Sequence, residues 1–234
     1  MKTLNQIKNW EELKNQVVCG DCLEGMKLIP DKSIDLVLTD PPYKVGAKGC
    51  GLAGNRAYLK DITEADIADG FDFGILEECL RVLKNPNIII FCGKQQLFEY
   101  MQWVHKKGFK WQLITWNKTN PTPLTNNNYL PDTEYIFHIW ENRKLTGEYK
   151  DKAKFYLSTV EKNRFSHPTV KPINLIQKFL KVGSSENNLI LDPFMGSWTT
   201  ARACKDLGRG FIGFEISEKY CKIGESRLEQ QNLF

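Results

Sequence analysis

An aspartate, two prolines and a tyrosine, Asp40-Pro41-Pro42-Tyr43, close the apolar run Ile34-Asp35-Leu36-Val37-Leu38-Thr39. Successive prolines fix φ twice and bias the residues before them away from the helical region, so the tetrapeptide is stiff. A buried strand ending there would deliver one carboxylate and one aromatic ring into a pocket. That pair suits chemistry on the exocyclic amine of a flat base, whose lone pair is spread into the ring and is a poor nucleophile. Two acceptors, the Asp40 carboxylate and the Pro41 carbonyl, would favour the tetrahedral, partly positive nitrogen that forms as the amine attacks a methyl sulfonium. Tyr43 would stack on the base, a contact worth roughly 1–3 kcal/mol. A structural turn with a core tyrosine accounts for the same four residues.

Three other acids close apolar runs: Asp21 after Val17-Val18-Cys19-Gly20, Asp192 after Leu189-Ile190-Leu191, and Glu215 after Phe211-Ile212-Gly213-Phe214. The stretch Asp192-Pro193-Phe194-Met195-Gly196-Ser197-Trp198-Thr199-Thr200 reads as a strand end, a tight turn and a helix start. Gly196 would allow a ligand close to the backbone, and the helix start offers unpaired N–H groups. Glu215, about twenty residues on, is spaced to accept from ribose hydroxyls. The three-glycine pyrophosphate fingerprint and a Walker loop are both missing, so a nucleoside without phosphates fits this turn better than NAD or ATP.

The elements that must hold these residues alternate. Strands are expected at 17–19, 34–39, 87–92, 109–116, 134–140, 188–191 and 210–214. Helices are expected at 22–28, 73–83, 97–107, 172–182, 199–207 and 217–228, with Pro172 in a first turn and Ser217 as a cap. This is an α/β pattern with a largely parallel sheet, in which ligands lie outside the carboxyl ends of the strands. Residues 44–70 and 119–131 read as loops, and 141–167 shows no sustained period. With 234 residues the chain can bury a full core.

The formal net charge of +4, from 32 Lys and Arg against 28 Asp and Glu, is a weak hint of nucleic acid. Its distribution says more: 141–171 holds eight basic and four acidic side chains, and 44–61 holds four basic and one acidic. The seven cysteines, scattered through apolar runs, suit a reducing compartment and ordinary core positions, and the default location is cytoplasmic. The three histidines are too scattered for a nuclease metal cluster, and no apolar run approaches the roughly 18 residues of a membrane span.

Taken together, Gly20-Asp21-Cys22, Leu38-Thr39-Asp40-Pro41-Pro42-Tyr43, His167-Pro168-Thr169-Val170-Lys171-Pro172, Asp192-Pro193-Phe194-Met195-Gly196-Ser197 and Gly213-Phe214-Glu215 resemble the amino-group DNA methyltransferases. The order matches the permuted beta class, where the target-amine motif precedes the cofactor motif. The resemblance implies a Rossmann-like fold with a mostly parallel seven-stranded sheet, helices on both faces and S-adenosylmethionine as cofactor. It divides one domain into a target-amine half at 17–140, a small recognition insert at 141–166 and a cofactor half at 167–230. It gives catalysis to Asp40, Pro41, Pro42 and Tyr43. It gives the cofactor to Asp21, Cys22, His167, Thr169, Lys171, Asp192, Pro193, Phe194, Gly196, Ser197, Trp198, Thr199 and Glu215. An Asp heading the Pro-Pro-Tyr motif leans toward N6 of adenine, where Ser would lean toward N4 of cytosine.

Trp198 departs from the family, which usually has glycine there. An indole at the mouth of the site would crowd the cofactor, turn outward, or pack beside the first helical turn. Crowding could leave a DNA- or partner-binding protein that has lost catalysis. Duplex DNA is the expected partner, with Lys44, Lys48, Arg56, Lys118, Arg143, Lys150, Lys152, Lys154 and Arg164 as candidate contacts. A homodimer and a cognate restriction enzyme are further expected partners.

Overall fold

The run Asn87-Ile88-Ile89-Ile90-Phe91-Cys92 is buried along its whole length, as a strand covered on both faces must be. Ile88, Ile90 and Cys92 enter one apolar cluster and Ile89 and Phe91 the other, which is the two-residue alternation of a pleated strand. Each such side chain, fully withdrawn from water, stabilises the fold by about 1.5–3 kcal/mol. This strand, β4 of the computed structural model, lies in the middle of the sheet. The structure describes residues 2–43, 72–121, 123, 127, 129–160 and 170–229.

Nine strands form one sheet: β1 Lys2–Thr3, β2 Gln16–Cys19, β3 Leu36–Thr39, β4 Asn87–Cys92, β5 Lys110–Lys118, β6 Thr133–Trp140, β7 Phe155–Ser158, β8 Leu189–Asp192 and β9 Gly210–Glu215. Their spatial order is β1-β2-β9-β8-β3-β4-β6-β5-β7. β6 runs against both of its neighbours, and every other pairing is parallel. The sequence led to seven strands. The two additions are at the sheet's edges: β1 is a polar two-residue strand on β2, and β7 lies in the basic segment and pairs on one side with β5.

Helices α1 Cys22–Met26, α2 Gly74–Val82 and α3 Leu97–Lys107 send Met26, Leu76, Val82, Tyr100 and Val104 into the first cluster. Helices α4 Ile173–Gly183, α5 Thr199–Asp206 and α6 Glu218–Glu229 send Leu175, Phe179, Ala203 and Cys221 into the second. The sheet is thus sandwiched, and the expected α/β architecture forms. Local chemistry sets the helix ends: the Asp21 carboxylate caps α1 by accepting from Glu24 N–H at 3.0 Å, and Gly108 ends α3 at φ +71°. Among the described residues no helix is long and apolar enough to cross a membrane. Six cysteines are described, all of them free and buried.

Trp198 takes the last of its three open placements. Its backbone is left-handed, φ +61° and ψ +26°, a conformation that glycine adopts without strain and a tryptophan does not. The indole is buried in the second cluster. A Cβ on Gly224 of α6 would stand 2.1 Å from the ring. Expected among the cofactor residues, the indole fills a slot under α6 that only a glycine at 224 leaves open. Gly224→Ala should destabilise the protein by about 1–3 kcal/mol through overpacking. Trp198→Gly should cost about 1–4 kcal/mol net, since lost packing outweighs relieved strain. In the double variant the alanine should cost little, a non-additivity that urea unfolding would read.

Candidate active site

Both halves of the site lie on the carboxyl edge of the sheet. Asp40 follows Thr39, the last residue of β3, and the Thr39 hydroxyl donates to Asp192 Oδ1 at the end of the neighbouring β8 at 2.6 Å. One buried hydrogen bond thus ties the Pro-Pro-Tyr loop to the glycine turn. Asp192 also accepts from Phe194 N–H at 3.1 Å. Burial pushes the Asp192 carboxyl up to about 6, against the pull of bonds from Thr39, Thr200 and Phe194. Its role in this geometry is to shape the turn from within.

Asp40 stands in a network of four charged side chains and a phenol. Lys171 Nζ lies 2.6 Å from Asp40 Oδ2 and 3.1 Å from Glu134 Oε2. Lys118 Nζ lies 2.7 Å from Glu134 Oε1. The Tyr43 hydroxyl donates to Asp40 Oδ1 at 2.8 Å and contacts Glu134 Oε2 at 3.3 Å. Burial raises the Asp40 pKa and Lys171 pulls it back, leaving it above the ordinary carboxylate value. Burial opposes the Lys171 ammonium too, yet Asp40 and Glu134 together hold it firmly protonated. Glu134 ends below its usual range because Lys171 and Lys118 outweigh its burial. The Asp40 side chain keeps 28% of its surface exposed, so the carboxylate can still be reached.

The side expected to take the cofactor is built on Glu215, which ends β9 beside Cys19 of β2. Its Oε2 accepts from Gly196 N–H and its Oε1 from Ser217 N–H, each at 2.8 Å. Burial raises its pKa, and these backbone donors partly offset that. Gly196 is left-handed, at φ +52°. Ile216, next to Glu215, exposes 63% of its surface. Sequence reasoning passed over it, and its signal was an apolar residue just past a strand-end acid. Asp21 is exposed at the end of β2. Carboxylates at two adjacent strand ends, an exposed apolar side chain and a turn without Lys or Arg fit a nucleoside with hydroxyl and amine donors and no phosphates.

Other expected site residues are buried or paired within the protein. Cys22 and Pro193 are buried, and burial beside Asp21 pushes the Cys22 thiol up to about 12. The Ser197 and Thr199 hydroxyls are buried and bonded to each other at 3.1 Å. Arg227 takes the Ser197 carbonyl at 2.6 Å. Lys171, expected among the cofactor residues in the segment leading into the helix beside the methionine end, pairs with Asp40. Lys118, expected among the DNA contacts, is paired with Glu134. Arg143 follows β6, whose last residue Trp140 pairs with Asn87 at the start of β4, so it lies at the opposite edge of the sheet. Its guanidinium is half-buried, and burial lowers its pKa. Lys150 pairs with Glu148 at 3.0 Å, while Lys152 and Lys154 are exposed on the approach to β7. Glu134 was missed altogether. Lys44, Lys48, Arg56, Arg164, His167 and Thr169 lie outside the described residues.

The chain matches the family model for DNA methylases, of the N6 and N4 methyltransferase type, over residues 34–226. It is 29% identical to the Type II methyltransferase M.HinfI of Haemophilus influenzae, over 95% of this chain and 70% of that one. It is also 29% identical to the Type II methyltransferase M2.DpnII of Streptococcus pneumoniae, over 94% of this chain and 92% of that one. Among solved structures, the M1.HpyAVI complex with S-adenosylmethionine superposes with a TM-score of 0.67 at 25% identity, covering 92% of this chain and 99% of that one. The cytosine-N4-specific PvuII DNA methyltransferase shares the fold, with a TM-score of 0.72 at 16% identity over 94% of this chain and 88% of that one.

The buried Asp192 makes one pH dependence readable. Its folded-state pKa is raised, so its contribution to stability is full below the unfolded value near 3.8 and is lost as pH rises through about 6. Asp192→Asn mimics the neutral form. Between pH 4 and pH 6 the wild type should lose up to about 3 kcal/mol relative to that variant. Parallel urea titrations of the two proteins would reveal the difference, and equal slopes would contradict the assigned burial.

Proposed function

We propose, from the premise that this chain belongs to the DNA methylase family and is an S-adenosylmethionine-dependent DNA methyltransferase, that it methylates N6 of adenine in duplex DNA. The reading is supported by the aspartate that heads the Pro-Pro-Tyr motif, carried on a strand end that the Thr39–Asp192 hydrogen bond joins to the glycine turn. When bound, S-adenosylmethionine supplies the methyl group. Glu215 and Asp21 would accept from its ribose and adenine donors, Ile216 would pack on its adenine, and the Gly196 turn would hold its backbone-facing side. Asp40 and the Pro41 carbonyl would accept the N–H groups of the target amine and favour positive charge on its nitrogen. Tyr43 would lie against the base. The base must leave the duplex to reach this pocket, at a cost of a few kcal/mol.

Backbone contacts must offset that cost. We assign the phosphate contacts to the insert at 141–166, where Lys152 and Lys154 are exposed beside the edge strand β7. We further propose a cognate restriction enzyme, in keeping with the Type II relatives. The shortness of the insert supports a homodimer that shares recognition, which sedimentation velocity would read.

Tritiated methyl transfer to mixed-sequence unmethylated duplex, followed by nucleoside separation, should put label in N6-methyladenine. Label in N4-methylcytosine would overturn the adenine reading. Asp40→Ala should lower turnover by about 10²–10³-fold while calorimetry shows cofactor binding largely intact. Replacing Lys152 and Lys154 with Ala should weaken binding evenly across sequences and reduce the salt slope by about 1 per lysine.

A further inference from the structure

Both oxygens of the Asp40 carboxylate are taken, Oδ1 by the Tyr43 hydroxyl at 2.8 Å and Oδ2 by Lys171 at 2.6 Å. An amine that donates to Asp40 must free one of them. The lysine has somewhere to go. Its ammonium already lies 3.1 Å from Glu134 Oε2, and Glu134 is anchored from its far side by Lys118 at 2.7 Å. A movement toward Glu134 therefore strengthens the second contact as the first is given up, and the buried charge is never left unpaired, which would be costly.

We propose that Lys171 is a positioning residue with two seats: it holds Asp40 ionised before a base arrives, and it moves onto Glu134 to release an Asp40 oxygen for the target amine. This rests on the reading of Asp40 as the amine acceptor. In the transfer, the amine lone pair forms the N–C bond and the S–C electron pair stays on sulfur. The nitrogen is positive until its proton leaves through Asp40 to solvent. A lysine still seated on Asp40 would repel that developing charge. Seated on Glu134, it is neutralised by a partner that takes no part in the bond changes.

The groups facing Asp40 allow the idea to be tested. Tyr43 shares its loop, Cys92 ends β4, Tyr100 lies on α3 and Asp192 ends β8. Burial pushes the Cys92 thiol up to about 12 and the Tyr100 phenol well above its usual value, so neither titrates between pH 5 and pH 9. Asp192 does titrate in that range, so a residue-specific probe is needed. Carboxyl carbon NMR on aspartate-labelled protein, with Asp40 assigned through Asp40→Asn, supplies one without DNA. Lys171→Met should move the Asp40 titration up toward neutrality, Lys171→Arg should restore it, and Glu134→Gln should move it down.

Single-turnover methyl transfer should nonetheless fall by about 10²-fold in both Lys171→Met and Glu134→Gln. The acid limb of its pH profile should rise only in the former. Opposite shifts at Asp40 with a shared loss of rate are what two seats require and what a merely structural lysine would not produce. An unmoved Asp40 titration in Lys171→Met, or full-rate transfer in a folded Glu134→Gln, would overturn the proposal. A wild-type enzyme that labels neither N6 of adenine nor N4 of cytosine would overturn the amine reading instead, and the NMR titrations would still decide whether Lys171 sets the charge of Asp40.

Discussion

A carboxylate that must accept from a neutral amine in a dry pocket is under opposed demands. It has to be ionised, which burial resists, and it has to be unoccupied at the moment of use, which a fixed cation prevents. In the proposed reading the network around Asp40 meets both demands with two acids and two lysines whose formal charges sum to zero, with Tyr43 bridging the two acids. Much of the architecture serves to bring those groups together. β3 delivers Asp40, β5 delivers Lys118, β6 delivers Glu134, and the segment entering α4 delivers Lys171.

On the cofactor side the solution differs, because backbone N–H groups rather than lysines hold the acid. Glu215 draws Gly196 and Ser217 onto itself, so one carboxylate fixes the turn after β8 and the entry to α6 together. The two halves are then joined by a neutral donor on a carboxyl, Thr39 on Asp192. A donor without charge leaves the electrostatics of the amine pocket to its own members. Mobility of either loop would loosen the other, since they share that bond.

What the sequence revealed follows from how each element is buried. β4 reads as a strand because both faces are covered, and the acids at the ends of β3, β8 and β9 are visible because parallel strands end where ligands lie. Glu134 was invisible to that rule. β6 is antiparallel, so its start, not its end, reaches the carboxyl edge, and an acid opening an apolar run carries no such signal. β7 was hidden by brevity and by pairing on one side only, which leaves Phe155 and Leu157 exposed among basic residues. Lys171 and Lys118 show the commoner limit: a lysine's partner across the sheet cannot be read from its neighbours in the chain. For Trp198 the departure from glycine was plain, while its compensation by Gly224 is a property of packed helices and has no local signature.

That compensation reaches beyond this one fold. Position 198 demands a left-handed backbone, and position 224 demands the absence of a side chain for as long as an indole occupies the slot. The two sites cannot drift independently. A lineage that enlarges position 224 must first, or at once, shrink position 198, and the smaller residue best suited to that backbone is glycine. The order of changes is therefore constrained, and a chain carrying a large residue at both positions would have to rebuild the packing between the turn and the last helix.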